Sequence, residues 1–159
     1  MGKASRNKKL KKQRTDALRD YDNIKLSDAL LILCEPYEIP DMSKEDYEKI
    51  LSLSAISWNV ASFPENLREQ KMMEMIHFIP ELKGLQKDEI ITLMKNSNSD
   101  DPNNTVIMLQ ILFGMLNKRI ELYPNDDRIV MDYWFESKSG TDVLQVKSII
   151  PNGAKNINL

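Results

Sequence analysis

Between Thr105 and Tyr123 the chain carries its most apolar stretch, and no stable fold leaves such a stretch uncovered. Val106, Ile107, Met108, Leu109, Ile111, Leu112, Phe113, Met115, Leu116, Ile120 and Leu122 surround a helix on all sides over its first turns. A helix that is apolar all round belongs at the centre of a bundle or beneath a partner. Thr105 is placed to cap it, and Tyr123-Pro124 ends it. Gly114 within it lowers helix propensity by about 1 kcal/mol relative to Ala, so a close helix crossing is expected there.

The covering elements lie mostly upstream. Ser27-Asp28 is placed to cap a short helix over 29–34, although Leu30-Leu31-Ile32-Leu33 also suits a buried strand. Pro36 and Pro40 bracket an extended connection. Ser43 opens the next helix as N-cap, with Asp46 three residues on imitating the returning arm of a capping box. Tyr47, Ile50, Leu51, Ser54 and Trp58 line one face of it, widened by Leu53, Ile56 and Val60. Pro64 stops this helix near Ala61 and starts another that runs to about Phe78, with Leu67, Met72, Met75, Ile76 and Ile79 as its apolar side. A shorter helix covers 86–96, and the Ser/Asn/Asp/Pro run from Ser97 to Asn104 reads as a loop.

After Pro124 the period changes from helical to two. Residues 129–137 and 143–150 are rich in β-branched and aromatic side chains and flank Lys138-Ser139-Gly140-Thr141, the pattern of a hairpin with a short glycine-containing loop. Strict alternation places Ile129, Met131, Tyr133 and Phe135 on one face, and Val130, Asp132, Trp134 and Glu136 on the other. A lone hairpin is marginal in water, so one face must pack on the helices or on another chain. The expected fold is α+β, mainly α: a bundle of about four to five helices closed by a C-terminal antiparallel β-hairpin. It spans residues 23–150, between a basic flexible tail over 1–22 and a polar tail over 151–159. No internal repeat is present.

Charge is unevenly distributed. Over residues 1–19, eight basic side chains (Lys3, Arg6, Lys8, Lys9, Lys11, Lys12, Arg14 and Arg19) stand against one acid, a balance of +7, whereas residues 20–159 carry 14 basic against 23 acidic groups, or −9. Such asymmetry points to a charged partner, or to a tail that folds onto its own acidic body. No aromatic residue interleaves with the basic run before Tyr21, so nucleic-acid contact there would be with phosphates rather than with stacked bases. Cys34 is the single cysteine, which fits a reducing compartment. Arg6 occupies the position where a myristoylation signal wants Ser or Thr, and polar residues over 15–23 follow the basic segment where a secretory signal needs an apolar core. The 29–34 run is too short to span a bilayer. A cytoplasmic protein without membrane attachment is expected.

Ser57-Trp58-Asn59, Phe63-Pro64-Glu65, the run from Pro124-Asn125-Asp126-Asp127-Arg128 to Ile129-Val130-Met131-Asp132-Tyr133, and Leu144-Gln145-Val146 together resemble a widespread but uncharacterised group of small bacterial proteins. The resemblance covers about 57–149. It implies a helical bundle closed by a hairpin and a bacterial origin, and it implies no activity.

Chemistry-bearing residues are sparse. His77 is the only histidine, and it lacks the partners for a zinc site or a Ser-His-Asp triad. Asn96-Ser97-Asn98-Ser99-Asp100-Asp101 begins like a calcium loop, but Asp101 stands where Gly is needed and Ile107 where Glu is needed. Five glycines form no phosphate loop. Asn125-Asp126-Asp127-Arg128 reads as a turn closed by Asx side chains. Trp58-Asn59 reads as a packing corner whose amide meets carbonyls freed at the helix end. No catalytic, cofactor or metal residue is assigned. Trp134, on the polar face of its strand, is the anchor expected for a protein interface, with Tyr133 and Phe135 beside it. The expected function is a nonenzymatic interaction module, self-associating or binding a protein partner. The alternative is nonspecific nucleic-acid or ribonucleoprotein association through Lys3, Arg6, Lys8, Lys9, Lys11, Lys12 and Arg14.

Overall fold

The computed structural model describes residues 24–95 and 105–151. The basic tail, the 97–104 loop with its calcium-like start, and the polar tail after Pro151 lie outside them. Five helices and one hairpin make up the described fold: α1 (Leu26–Cys34), α2 (Lys44–Ser62), α3 (Glu65–Met75), α4 (Lys87–Lys95), α5 (Thr105–Leu122), β1 (Ile129–Lys138) and β2 (Thr141–Ile149). The architecture is therefore α+β and mainly α, with a two-stranded antiparallel sheet. Among the described residues no helix is long and apolar enough to cross a membrane.

Helices α2 and α5 form the central pair, with more contact between them than between any other two helices. The buried stripe of α5 runs through Thr105, Met108, Leu109, Leu112, Met115, Leu116 and Arg119, the i, i+3, i+4, i+7 rows of one helix face. Ser57 Oγ donates to the Leu112 carbonyl at 3.0 Å, joining the two backbones midway. The apolar circumference of α5 is not fully covered, since Ile107 remains 53% exposed. Ile111 and Phe113 are half-buried. The five helices and the hairpin pack around a single core, but one flank of α5 faces outward.

Local sequence explains most boundaries. Ser43 Oγ accepts from the Asp46 N–H at 3.1 Å, the expected N-cap of α2. Helix α1 begins earlier than its Ser27-Asp28 cap signal, with Lys25 as N-cap and no side-chain cap. Extension by one turn buries Leu26 and leaves Asp28 in the first turn, where the positive end of the helix favours it. The strand alternative for this segment is thereby excluded. Pro36 sits in a short 3-10 turn over Glu35–Tyr37 instead of an extended link. The helix expected to reach Phe78 ends as α-helix at Met75 and tightens into a 3-10 turn over Ile76–Phe78. A second such turn follows over Pro80–Leu82, and proline disfavours helical backbone at Ile79 before it. Leu67, placed on the apolar side by periodicity, lies on the exposed side of α3.

In the hairpin, Lys138 pairs with Thr141 across a two-residue turn in which Ser139 and Gly140 both have positive φ, 52° and 79°. That is the backbone of a type I′ turn, whose twist matches the strands. The loop is thus two residues, not four. The pairing slips at Met131: Val130 lies opposite Ser148 and Asp132 opposite Lys147, so Met131 is an inserted bulge residue. The bulge overturns strict alternation. Val130 turns inward together with Tyr133, which lies opposite Val146, while Met131 is left outside.

Gly114 faces the phenol of Tyr37 rather than another helix. A Cβ at this position would overlap the Tyr37 hydroxyl oxygen and lie 3.4 Å from the ring carbon that bears it. Gly114→Ala is expected to destabilise the fold by about 1–3 kcal/mol, because the phenol must leave its notch. In a Tyr37→Phe background the same change costs less, with a coupling of about 1 kcal/mol or more in a double-mutant cycle read by urea unfolding. Additive effects would show that the phenol is not seated against Gly114.

Candidate functional site

The hairpin is held on the bundle by a polar cluster at its root. Arg119, on the buried stripe of α5, is 1% exposed. Its guanidinium carbon lies 4.0 Å from the centre of the Trp58 ring, a desolvated cation–π contact. Arg119 also donates to the Tyr123 and Asp126 carbonyls and, at 3.1 Å, to Ser62 Oγ. Burial lowers its pKa to about 10, the nearby Asp126 carboxylate opposing that effect, so the group stays charged at neutral pH. Periodicity carried the signal for this residue: Arg119 continues the Leu112–Met115–Leu116 row, but sequence reading assigned that row by its apolar members and passed over the arginine.

Around it, each polar group closes a gap between helix and strand. Trp58 Nε1 donates to the Arg128 carbonyl at 2.9 Å, and Ser62 Oγ is within hydrogen-bond distance of the same oxygen at 2.8 Å. The Asp126 carboxylate accepts the Arg128 backbone N–H at 3.1 Å and pairs with its guanidinium, the closest contact being 2.7 Å. The expected Asx turn is present, but its carboxylate is buried and ion-paired. Arg128 reaches further, donating to the Ile24 carbonyl at 3.0 Å. The Asn59 amide does not meet freed helix carbonyls. It donates to the Val130 carbonyl at 3.0 Å and accepts the Val130 N–H at 2.7 Å, as a neighbouring strand would. Arg68 of α3 takes the carbonyls at the end of α2, those of Phe63 at 3.0 Å and Ala61 at 3.2 Å. Ser57-Trp58-Asn59 and residues from Asp126 to Val130 meet in this cluster.

This root fixes what the hairpin displays. Tyr133 turns inward, and its hydroxyl meets that of Ser52 at 2.7 Å. Phe135 packs against Tyr47 with ring centres 6.2 Å apart, one edge remaining exposed. Both residues therefore spend part of their surface on α2. Trp134 lies on the outer face, 47% exposed, opposite Gln145 and between Asp132 and Glu136, as the sequence indicated. Lys3, Arg6, Lys8, Lys9, Lys11, Lys12 and Arg14 lie outside the described residues.

Beside β1 runs a groove of about 410 Å³ between α2, the end of α3 and the strand. Ile56, Met75, Phe78 and Ile79 form one wall, Met131 and Tyr133 the other. Phe78 is 83% exposed and Met131 55%, so the rim is apolar and open. A second groove of about 360 Å³ lies over Met72, Met73, Ile90, Ile91 and Phe113. Sequence reading found neither, because the walls come from segments far apart in the chain and the bulge that exposes Met131 leaves no signature in periodicity.

The remaining reactive groups are held in the fold. Cys34 is buried, its Sγ 3.9 Å from the Ile50 carbonyl, and desolvation pushes its pKa up to about 11. His77 Nδ1 accepts the Gly84 N–H at 3.2 Å, which closes the turn after α3. Among the described residues no group of three or more His, Cys, Asp and Glu gathers to hold a metal ion.

Asn59→Ala leaves the N–H and C=O of Val130 without their amide partner, each at about 1–3 kcal/mol. The variant should lose about 2–4 kcal/mol of stability, and the Val130 amide should exchange with solvent hydrogen well before the rest of β1. Undiminished protection at Val130 would show that the amide bridge is not what holds the strand. Comparison with protein-family models, curated proteins and solved structures finds no match to this chain.

Proposed function

We propose that this protein is a nonenzymatic interaction module whose docking surface is the hairpin together with the groove beside β1. The observation that carries this reading is the pairing of Phe78 and Met131 on opposite rims of that groove, with the open side of a β-strand as its third boundary. Solvent-facing apolar side chains of this size, gathered around a concavity, mark association surfaces more often than solvated ones. The titratable groups buried nearby support the same reading, because Arg119, Asp126 and Cys34 are engaged in holding elements together. A buried free thiol, held protonated by desolvation, suits a reducing cytoplasm, and the motif resemblance supports a place among small bacterial proteins.

A second reading rests on charge. The +7 balance over residues 1–19 favours sequence-independent attraction to phosphate backbones through Lys3, Arg6, Lys8, Lys9, Lys11, Lys12 and Arg14. The acidic remainder confines such contact to the tail.

Phe78→Ser and Met131→Ser, introduced together, should weaken docking of a protein partner in the groove by about tenfold or more. Thermal stability should hold nearly constant, since both side chains face solvent. Partner docking that survives both changes intact would rule the groove out. For the tail, Lys8, Lys9, Lys11 and Lys12 changed together to Gln should lower the slope of log affinity against log salt for duplex DNA by about 3. Equal binding by both forms would remove the nucleic-acid reading.

A further inference from the structure

We infer that the hairpin part of this surface pairs with a second copy of the same chain, joined through the open edge of β1 from Tyr133 to Ser137. The inference rests on the interaction reading above and names its partner.

Backbone geometry defines the open window. The type I′ turn makes Lys138–Thr141 a hydrogen-bonded pair, so Glu136–Val143, Trp134–Gln145 and Asp132–Lys147 are bonded pairs as well. The N–H and C=O of Tyr133, Phe135 and Ser137 therefore point away from β2. The Tyr133 N–H is held at 2.8 Å by the carboxylate of Asp132 beside it, consistent with that direction. At the root, Asn59 occupies the same edge at Val130, and the bulge at Met131 interrupts it. At the tip the edge ends in the turn. Among the described residues no other strand pairs there. What remains is a stretch of five residues centred on Phe135.

A twofold axis at Phe135 uses every open group of both copies. Phe135 then pairs with its counterpart, and Tyr133 pairs with Ser137 of the other copy on either side. On the outer face the same register sets Asp132 opposite Lys138 and Trp134 opposite Glu136, with the two Trp134 rings as diagonal neighbours. Asp132 exchanges the Tyr133 N–H for a lysine as the strand docks. Shifting the axis to Trp134 places Asp132 opposite Glu136 twice and strands Ser137. Shifting it to Glu136 places Glu136 against itself and strands Tyr133. Charge and hydrogen bonding thus select one register, and that register covers Trp134 and Phe135, two of the exposed aromatic side chains of the hairpin. The mode is strand addition, in which backbone groups supply affinity and facing side chains supply selectivity.

The test is light scattering of the full chain over a wide concentration range, with charge and strand-edge variants. The natural chain should dimerise. Asp132→Lys and Lys138→Asp singly bring like charges together at two symmetric places and should each raise the dissociation constant by about tenfold or more. The double variant should recover the natural affinity. Ser137→Pro removes an outward N–H and, within the hairpin, only the exposed bond from Ser137 Oγ to the Asp142 carboxylate, so it should abolish the dimer, whereas Ser137→Ala, which loses that side-chain bond alone, should keep it; both should preserve the far-ultraviolet circular dichroism of the monomer. A chain that stays monomeric throughout overturns the inference. So does a dimer indifferent to the charge exchange, which would pair through another surface. A monomer that captures a different protein through Phe78 and Met131 also overturns self-pairing, but it leaves the interaction reading standing.

Discussion

The position of the hairpin depends on one guanidinium. Arg119 is buried without a carboxylate in direct contact, and its charge is met by the face of Trp58, two backbone carbonyls and a serine hydroxyl. An ion taken from water costs several kcal/mol unless its donors are satisfied. Meeting its terminal N–H groups, while Nε is left without a partner, forces the segment from Tyr123 to Asp126 to wrap the end of α5 with its carbonyls turned inward. That wrap sets the direction in which the chain leaves the helix, and hence where β1 starts. Asp126 then fixes Arg128, and Asn59 receives Val130. Apolar burial alone would hold the helices together, but it is non-directional and does not choose a strand register.

The same requirement explains why the exposed surface is where it is. Once Val130 is fixed inward, the bulge at Met131 is the adjustment that lets Tyr133 also point inward and reach Ser52. Its consequence is an outward methionine facing Phe78 across a groove. An inward register on both sides of the bulge and a fully polar exterior are incompatible, and the exposed pair Met131 and Phe78 is the result. The α5 flank around Ile107 has a different origin, since it follows from a helix whose apolar circumference exceeds the number of elements available to cover it.

Much of this fold was legible because it is written in local rules. The Ser43 cap, the Pro64 boundary, the Gly140 turn and the α5 helix each depend on a few neighbouring residues. The misreadings share a cause in tertiary demand. Helix α1 starts at Leu26 because that leucine has a core to enter, and Leu67 is exposed because α3 and the 3-10 turn after it meet the bundle along Met72 and Ile76. Strict alternation failed at Met131 because a bulge answers to the helix beneath the strand, not to the strand itself. Trp134 was placed correctly on the outer face, since the two errors of periodicity and bulge do not extend past Asp132. The site was less legible than the fold. Asn59 and Arg119 act on backbone groups about 70 and 4 to 7 residues away, respectively, and the use of a side-chain amide as a surrogate strand leaves no pattern in a single sequence.

The bond from Arg128 to the Ile24 carbonyl spans 104 positions, and it orders events in time. On a ribosome the helices emerge first, at roughly 5–20 residues per second, and α5 leaves the exit tunnel with Arg119 already committed to its inner face. Until the segment beyond Tyr123 follows, that charge has no carbonyls to meet, and Asn59 has no strand to receive. The nascent bundle must therefore wait in a loosened state, its arginine in contact with water, and lock only when the hairpin arrives. A chain ending before Tyr123 would lack the carbonyls that Arg119 and Trp58 Nε1 meet, and its Trp58 corner would stand open to water.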